Sequence, residues 1–289
     1  MIRYAADLEE IRNKIKKQSP GWLVDATRKT AKFRKARRYS EKSSSWSKIK
    51  LVYMELQHAK CGYCERKLES GASGKIEWDV EHYRPKGEVK IWPDAKLSKK
   101  LAYSFPLGPG SKTGYYLLPY HPLNYLAACK VCNTPYKSNY FPIAGKRRMT
   151  SAAGPEEAGG ELPFLPYPIA QIDEDPEQLL TFQGFICVPV ANAGHRRNRA
   201  IVTIDFFRLN ERDTLLEERA ELIVMIWAML QRQAADPSDS LADVFLKRVL
   251  SNANKHGNCA RAFLKTVERD QQEAKLYVQK ANEYLASKR

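Results

Sequence analysis

Apolar and polar positions change rhythm several times along this chain. In the first 60 residues Leu8, Ile11 and Ile15 recur at helical spacing. Behind them runs Arg28-Lys29-Thr30-Ala31-Lys32-Phe33-Arg34-Lys35-Ala36-Arg37-Arg38, so the segment reads as helical and basic. Ser43, Ser44 and Ser45 interrupt it before a second short helix predicted around Ser47 to Gln57. The stretch from Trp78 to Lys86 is strand-like and ends in a polar turn. From Gly87 to Tyr120 periodicity gives way to Gly, Pro and Lys, which predicts a long insertion between two halves of one site.

Ala, Gly and Glu dominate from Thr150 to Gly160, the composition of a mobile surface linker. Residues 161–209 read as short extended segments, among them Leu180-Thr181-Phe182 and Gly184-Phe185-Ile186-Cys187-Val188 about a Gln-Gly turn. Helical spacing then returns. Thr214 and Glu217 form a capping-box pattern ahead of Leu215, Leu216, Leu222, Ile223, Ile226, Trp227 and Leu230. Asp236, Pro237 and Ser238 break that helix. A second is predicted from Ser240, with Leu241, Val244, Phe245, Val249 and Leu250 on one face and Gly257 just past its end. A third runs from about Cys259 to Ala286, and the three form a bundle for packing or partner docking.

This divides the chain into 1–57, a basic helical region; 58–149, a central core with the insertion at 87–120; 150–209, a linker with short strands; and 210–289, the helical bundle. The fold class expected is α+β. No apolar run approaches the ~20 residues of a membrane-spanning helix, and the N-terminal lysines precede no apolar stretch with a cleavage site, so a cytoplasmic address is expected and no membrane partner.

Charge sharpens the picture. The net charge of +15 is uneven: residues 1–60 hold 16 Lys and Arg against 6 Asp and Glu, whereas residues 211–289 hold 13 against 12. A basic half beside a balanced one suits either a polyanion-facing surface or a solvated face.

Four of the six cysteines form two pairs of identical spacing, Cys61-Gly62-Tyr63-Cys64 and Cys129-Lys130-Val131-Cys132. Each pair makes a knuckle that aims two sulfurs at one ion, the arrangement of a tetrahedral four-thiolate zinc site. Such zinc is structural, since four thiolates leave no position for water. Cys187 and Cys259 stand alone and read as small buried apolar residues.

Between the pairs, Glu81 and His82 are adjacent. A carboxylate can hold a divalent ion on a scissile phosphate while an imidazole titrating near neutrality takes a proton from attacking water. Asn124 precedes Cys129 by five residues and Asn133 follows Cys132. An amide at Asn124 can lock a loop or orient the histidine, and the amide oxygen of Asn133 can serve as a hard ligand to magnesium.

Taken together, Cys-x-x-Cys, then Glu-His-x-x-Pro-Lys, then Asn-x-Leu-x-x-Cys-x-x-Cys-Asn resembles the HNH endonuclease family. The resemblance is greatest to its zinc-containing branch in bacterial anti-phage defence systems such as Septu. It implies a ββα-metal fold stapled by Cys61, Cys64, Cys129 and Cys132, with mostly helical flanking regions. By position, His82 matches the general base, Glu81 the first divalent-metal ligand, Asn124 the middle asparagine of the signature and Asn133 the last metal ligand. Structural Zn2+ and catalytic Mg2+ or Mn2+ are the cofactors implied; nucleic acid, first of all DNA, is the substrate, and an ATPase is the partner. Arg84, Lys86 and Lys137 are the cations placed to meet phosphate.

Three departures stand out. Many members have Asp where Glu81 stands, the usual Cys-Asn-x-x-Lys carries one extra residue before Lys137, and the insertion is longer than in compact members. His121, three residues before Asn124, reads as a packing residue with a ligand role left open. Asp79 shares a strand face with Glu81 and reads as a solvated carboxylate that could join the metal. His58, His195 and His256 are expected at the surface. A zinc-stabilised binding subunit, silent without its ATPase, is the alternative to a self-sufficient endonuclease.

Overall fold

A computed structural model describes residues 1–41, 44–69, 77–94, 100–150, 155 and 159–288. Ser43 and most of the linker read at Thr150–Gly160 lie outside them. The chain forms two compact units. The first comprises Arg3–Ala59 and Leu68–Asp175, and the second Met1–Ile2, Lys60–Lys67 and Pro176–Arg289.

In the first unit, α1 (Leu8–Gln18) begins where the Asp7 carboxylate accepts from the Glu10 N–H at 2.7 Å, and it buries Ile11 and Ile15. Helix α2 (Trp22–Ala36) buries Trp22, Ala26 and Phe33 and exposes Arg28, Lys32, Arg34 and Lys35, while Lys29 is half-buried against Glu41 at 2.5 Å. After a single 3-10 turn, α3 (Lys50–Leu56) is mostly buried, with Val52, Tyr53, Met54 and Leu56 inside.

Strand β1 (Trp78–His82) pairs antiparallel with β2 (Tyr125–Cys129), Trp78 opposite Cys129 and His82 opposite Tyr125. Every residue of β2 is buried. Its backbone gains a further partner in Gln57, whose amide donates to the Ala127 carbonyl at 2.9 Å and accepts from the Ala127 N–H at 2.7 Å. Beyond β2 the chain turns helical at Lys130 and passes into a six-residue π turn, Cys132–Lys137, that contains Pro135. Proline cannot donate to an i−4 carbonyl, which is consistent with the wider turn in place of a regular α-helix.

The insertion returns close to where it leaves. The Tyr115 N–H donates to the Pro85 carbonyl at 2.9 Å, and Val89 bridges Ser111. Gly114, at φ +58°, lies so near the Gly87 carbonyl that a Cβ would sit 1.4 Å from that oxygen, and no other residue fits there.

In the second unit, β3 (Leu180–Gln183) and β4 (Ile186–Pro189) form the hairpin expected about Gln183 and Gly184. Helices α4 (Gly194–Phe206), α5 (Asp213–Ala235), α6 (Ser240–Leu250), α7 (Gly257–Arg269) and α8 (Gln271–Ser287) follow.

Several sequence expectations need correction here. Helix α4 falls where short extended segments were expected. Helix α5 starts at Asp213 with Arg212 at its N-cap and no side-chain cap, so Thr214 lies inside the helix and the Thr214–Glu217 capping box does not form. Gly257 opens α7 and does not close α6, whose C-cap is Ser251. The single helix expected from Cys259 to Ala286 is two, parted at Asp270, whose carboxylate accepts from the Gln272 and Glu273 N–H groups. On α6 the buried stripe is Ala242, Leu246 and Val249, while Leu241 and Val244 face solvent. His256 is buried against Glu218 at 2.7 Å, not at the surface.

Candidate functional site

The two cysteine pairs come together. The sulfurs of Cys61, Cys64, Cys129 and Cys132 all lie within 4.8 Å of one another, and all four residues are buried. Cys61 and Cys64 lie on a tight turn closed by the Glu65 N–H donating to the Cys61 carbonyl at 3.0 Å, and the Cys132 N–H approaches the Cys129 sulfur at 3.5 Å. Four soft donors around one point suit a tetrahedral Zn2+.

A second constellation lies in the first unit around a cavity of about 410 Å³, whose lining includes Trp46, Asp79, Glu81, His82, Lys86 and Asn133. Strand β1 supplies Asp79 and Glu81 on one face, two residues apart, and the π turn supplies Asn133.

The His82 Nε2 lies 3.0 Å from the Pro119 carbonyl. A carbonyl only accepts, so Nε2 carries the proton and Nδ1 is left with its lone pair. Trp46 packs edge-on against the imidazole at 4.8 Å between centroids, and Tyr125 lies on another side at 4.9 Å. Burial pushes the imidazole well below its ordinary pKa, and the positive charges of Lys86 and Lys137 push the same way against the Pro119 hydrogen bond. His82 is therefore neutral at physiological pH, the form in which Nδ1 can take a proton.

Glu81 is buried with one carboxylate oxygen 3.3 Å from the Lys137 ammonium. Burial raises its pKa, and Lys137 opposes that rise. The same burial lowers the pKa of Lys137. Asp79 accepts from Lys130, and the Asn133 amide nitrogen lies 3.5 Å from the same carboxylate oxygen. That contact engages the nitrogen of Asn133 and leaves its oxygen for a hard cation. The oxygen donors of Glu81, Asp79 and Asn133 on one cavity fit Mg2+ or Mn2+.

Asn124 is fully buried and touches only main chain. Its oxygen accepts from the Arg84 N–H at 2.8 Å, and its nitrogen donates to the carbonyls of Arg84 at 3.0 Å and Leu118 at 3.1 Å. It pins the turn that follows His82 to the segment that carries Pro119. His121 accepts the Leu123 N–H at its Nδ1, 3.2 Å away, and caps a short turn away from the Glu81 cavity.

Of the three cations assigned to phosphate, only Lys86 lines the cavity, its ammonium 4.8 Å from the Trp46 ring centroid. Arg84 and Lys137 are corrections. Arg84 is 3% exposed and paired with Glu161 at 2.8 Å, and Lys137 is sealed against Glu81, so neither can reach a phosphate on the surface. Sequence reasoning missed Trp46, the Pro119 carbonyl and the Asp79–Lys130 pair. Only the last left a signal, two opposite charges on segments that the cysteine spacing already brings together.

The class of protein these features define is an α+β chain with a buried four-thiolate cluster and a histidine–carboxylate cavity. Its sequence is similar to that of the Septu protein PtuB of Bacillus mycoides (strain KBAB4), 28% identical over 199 residues. That stretch is 69% of this chain and 58% of the relative, so the chain spans little more than half the length of the protein it matches. No family model matches the chain, and no solved structure matches it.

Proposed function

We propose that this protein is a divalent-metal-dependent endonuclease of the HNH type, a subunit of an anti-phage defence system, with DNA as substrate. The observation that carries the reading is His82. It is a buried, neutral imidazole whose Nε2–H is committed to a main-chain carbonyl, on a cavity shared with Glu81 and Asn133.

In this reading Nδ1 of His82 accepts a proton from water, which attacks the scissile phosphorus in line with the leaving 3′-oxygen. Glu81 and Asn133 hold the divalent ion, which supplies charge stabilisation at the phosphate when bound. Strands β1 and β2 with the π turn serve as the ββα-metal core, and Zn2+ on the four thiolates holds its ends in register. Lys86 meets a phosphate oxygen at the cavity, and Asn124 keeps the His82 turn in place.

One contact favours the second reading, a zinc-stabilised binding subunit that is silent without an ATPase partner. Lys137 neutralises Glu81, so the carboxylate already has a cation.

Plasmid cleavage by wild type beside His82→Ala, with magnesium or manganese against EDTA, tests the proposal. The expected result is metal-dependent cleavage reduced by about 10² to 10⁴-fold in the variant, which stays folded at the assay temperature with zinc still bound at the four thiolates. Undiminished cleavage by a zinc-loaded His82→Ala protein sinks the assignment. Cleavage by wild type only when a candidate ATPase is added selects the second reading.

A further inference from the structure

Helix α2 spends its inner face on Trp22, Ala26 and Phe33, and its outer face carries Lys32, Arg34 and Lys35. Arg37 and Arg38 follow at its end, and all five cations are exposed. Among the described residues none of the five has a carboxylate within 4.0 Å. The acid of the first turn, Asp25, is taken by Arg28 at 2.8 Å. Lys32 and Lys35 are three apart on the helix, the spacing at which like charges repel, and Arg37 at the left-handed C-cap and Arg38 beyond it add two further cations. The helix dipole favours Arg34 and Lys35 in the last turn, and it does not account for Lys32 before them. On the flank of α2 a second cavity, of about 400 Å³, is lined by Arg12 and Arg34 together with Thr27 and Thr30.

This row of charge ends beside the histidine cavity. Tyr39 directly follows Arg38, and its ring packs on Phe33 at 5.2 Å and on Trp46 at 6.4 Å. Trp46 in turn meets His82 at 4.8 Å. The Lys86 ammonium bridges the two rings, 5.8 Å from Tyr39 and 4.8 Å from Trp46. Two ring contacts therefore separate the end of the row from the imidazole, a span of about three nucleotides at ~3.4 Å of axis per phosphate on one strand.

We infer that the C-terminal end of α2, through Arg34 and Lys35 in its last turn and Arg37 and Arg38 just beyond it, is the track that holds the phosphodiester backbone flanking the bond to be cleaved. The partner is a nucleic acid recognised by its phosphates and not by its bases. The inference rests on the nuclease reading for the location of the scissile phosphate, while the binding itself requires no chemistry.

The test is binding of the intact chain, in EDTA, to a fluorescein-labelled DNA duplex and to an RNA strand of the same sequence. Wild type is compared with R34Q/K35Q/R37Q/R38Q and with R197Q/K265Q/K275Q/K280Q, which removes the same charge from exposed positions elsewhere. The α2 variant is expected to bind at least about tenfold more weakly and to flatten the plot of log affinity against log salt by about 3.6, at roughly 0.9 per phosphate contact on duplex. The second variant is expected to match wild type. Equal losses in both variants, an unchanged slope, or binding to phosphatidylserine vesicles in place of nucleic acid overturns the inference. Cleavage that persists in the α2 variant at the wild-type rate and salt dependence overturns it while sparing the nuclease reading. Binding through α2 by a protein that never cleaves does the reverse.

Discussion

Arg84 shows how much a single residue depends on a partner far away in sequence. Its guanidinium lies in the first unit with a side chain 4% exposed, held by Glu161 at 2.8 Å and flanked by the rings of Tyr83, Tyr115 and Phe141. Replacing Glu161 with Ala leaves a buried cation unpaired and removes the acceptor of the Arg148 N–H. A loss of about 3–5 kcal/mol is expected, read from the urea midpoint of the variant against wild type. The sequence suggests a phosphate ligand at Arg84 because Arg-Pro-Lys after His82 is a basic turn, and nothing in that turn reports an acid 77 residues on. Lys137 has the same history with Glu81. The thiolates were legible because a metal site imposes spacing on the residues that build it, whereas an ion pair imposes none.

At the scale of elements, periodicity placed α1, α5 and α6, and the start of α6 at Ser240, but failed at the cap of α5 and at the end of α6. The apolar stripe that includes Phe263, Ala274, Val278 and Ala281 runs on without a break in composition, so α7 and α8 read as one helix. The boundary is made by Asp270, whose carboxylate accepts from two N–H groups at the start of α8, at 2.9 and 3.0 Å. Asp270→Ala is expected to cost about 0.5–2 kcal/mol, read by thermal melting, with Asp270→Asn retaining most of the stability. Helix α4 was missed for a different cause. Its first turn, Gly194-His195-Arg196-Arg197, presents no apolar spacing and no capping side chain, so its helical pattern starts only with Ala200. In α6 a five-residue apolar set satisfied two adjacent faces, and burial chose the one through Ala242, Leu246 and Val249.

At the scale of the whole chain, a half-buried carboxylate makes the second unit sensitive to acid. In the second unit Glu218 lies 2.7 Å from His256, 3.4 Å from Lys255 and 3.6 Å from Arg66. Burial raises its pKa, but these three donors win and hold it down to about 2 from an ordinary 4.5. A carboxylate depressed on folding stabilises the fold fully above its unfolded pKa, and that contribution is lost as pH falls through the folded value. The second unit should therefore weaken between about pH 4.5 and about 2. Glu218→Gln should flatten that limb of a melting-temperature profile across the same range; a variant profile as steep as wild type would place the acid sensitivity elsewhere. Charge asymmetry, another property of the whole chain, was legible from composition alone. Its location on the outer face of α2 became visible only when Trp22, Ala26 and Phe33 were seen to take the inner one.

The Pro119 carbonyl has a further consequence. It fixes the proton on His82 and also accepts from the Tyr125 hydroxyl, yet it belongs to the main chain. Alanine scanning cannot delete a peptide oxygen, so a scan would credit His82 with work that the backbone shares. Tyr125→Phe is the nearest a substitution comes to exposing the arrangement, because it removes the other donor to that oxygen while leaving the histidine itself intact.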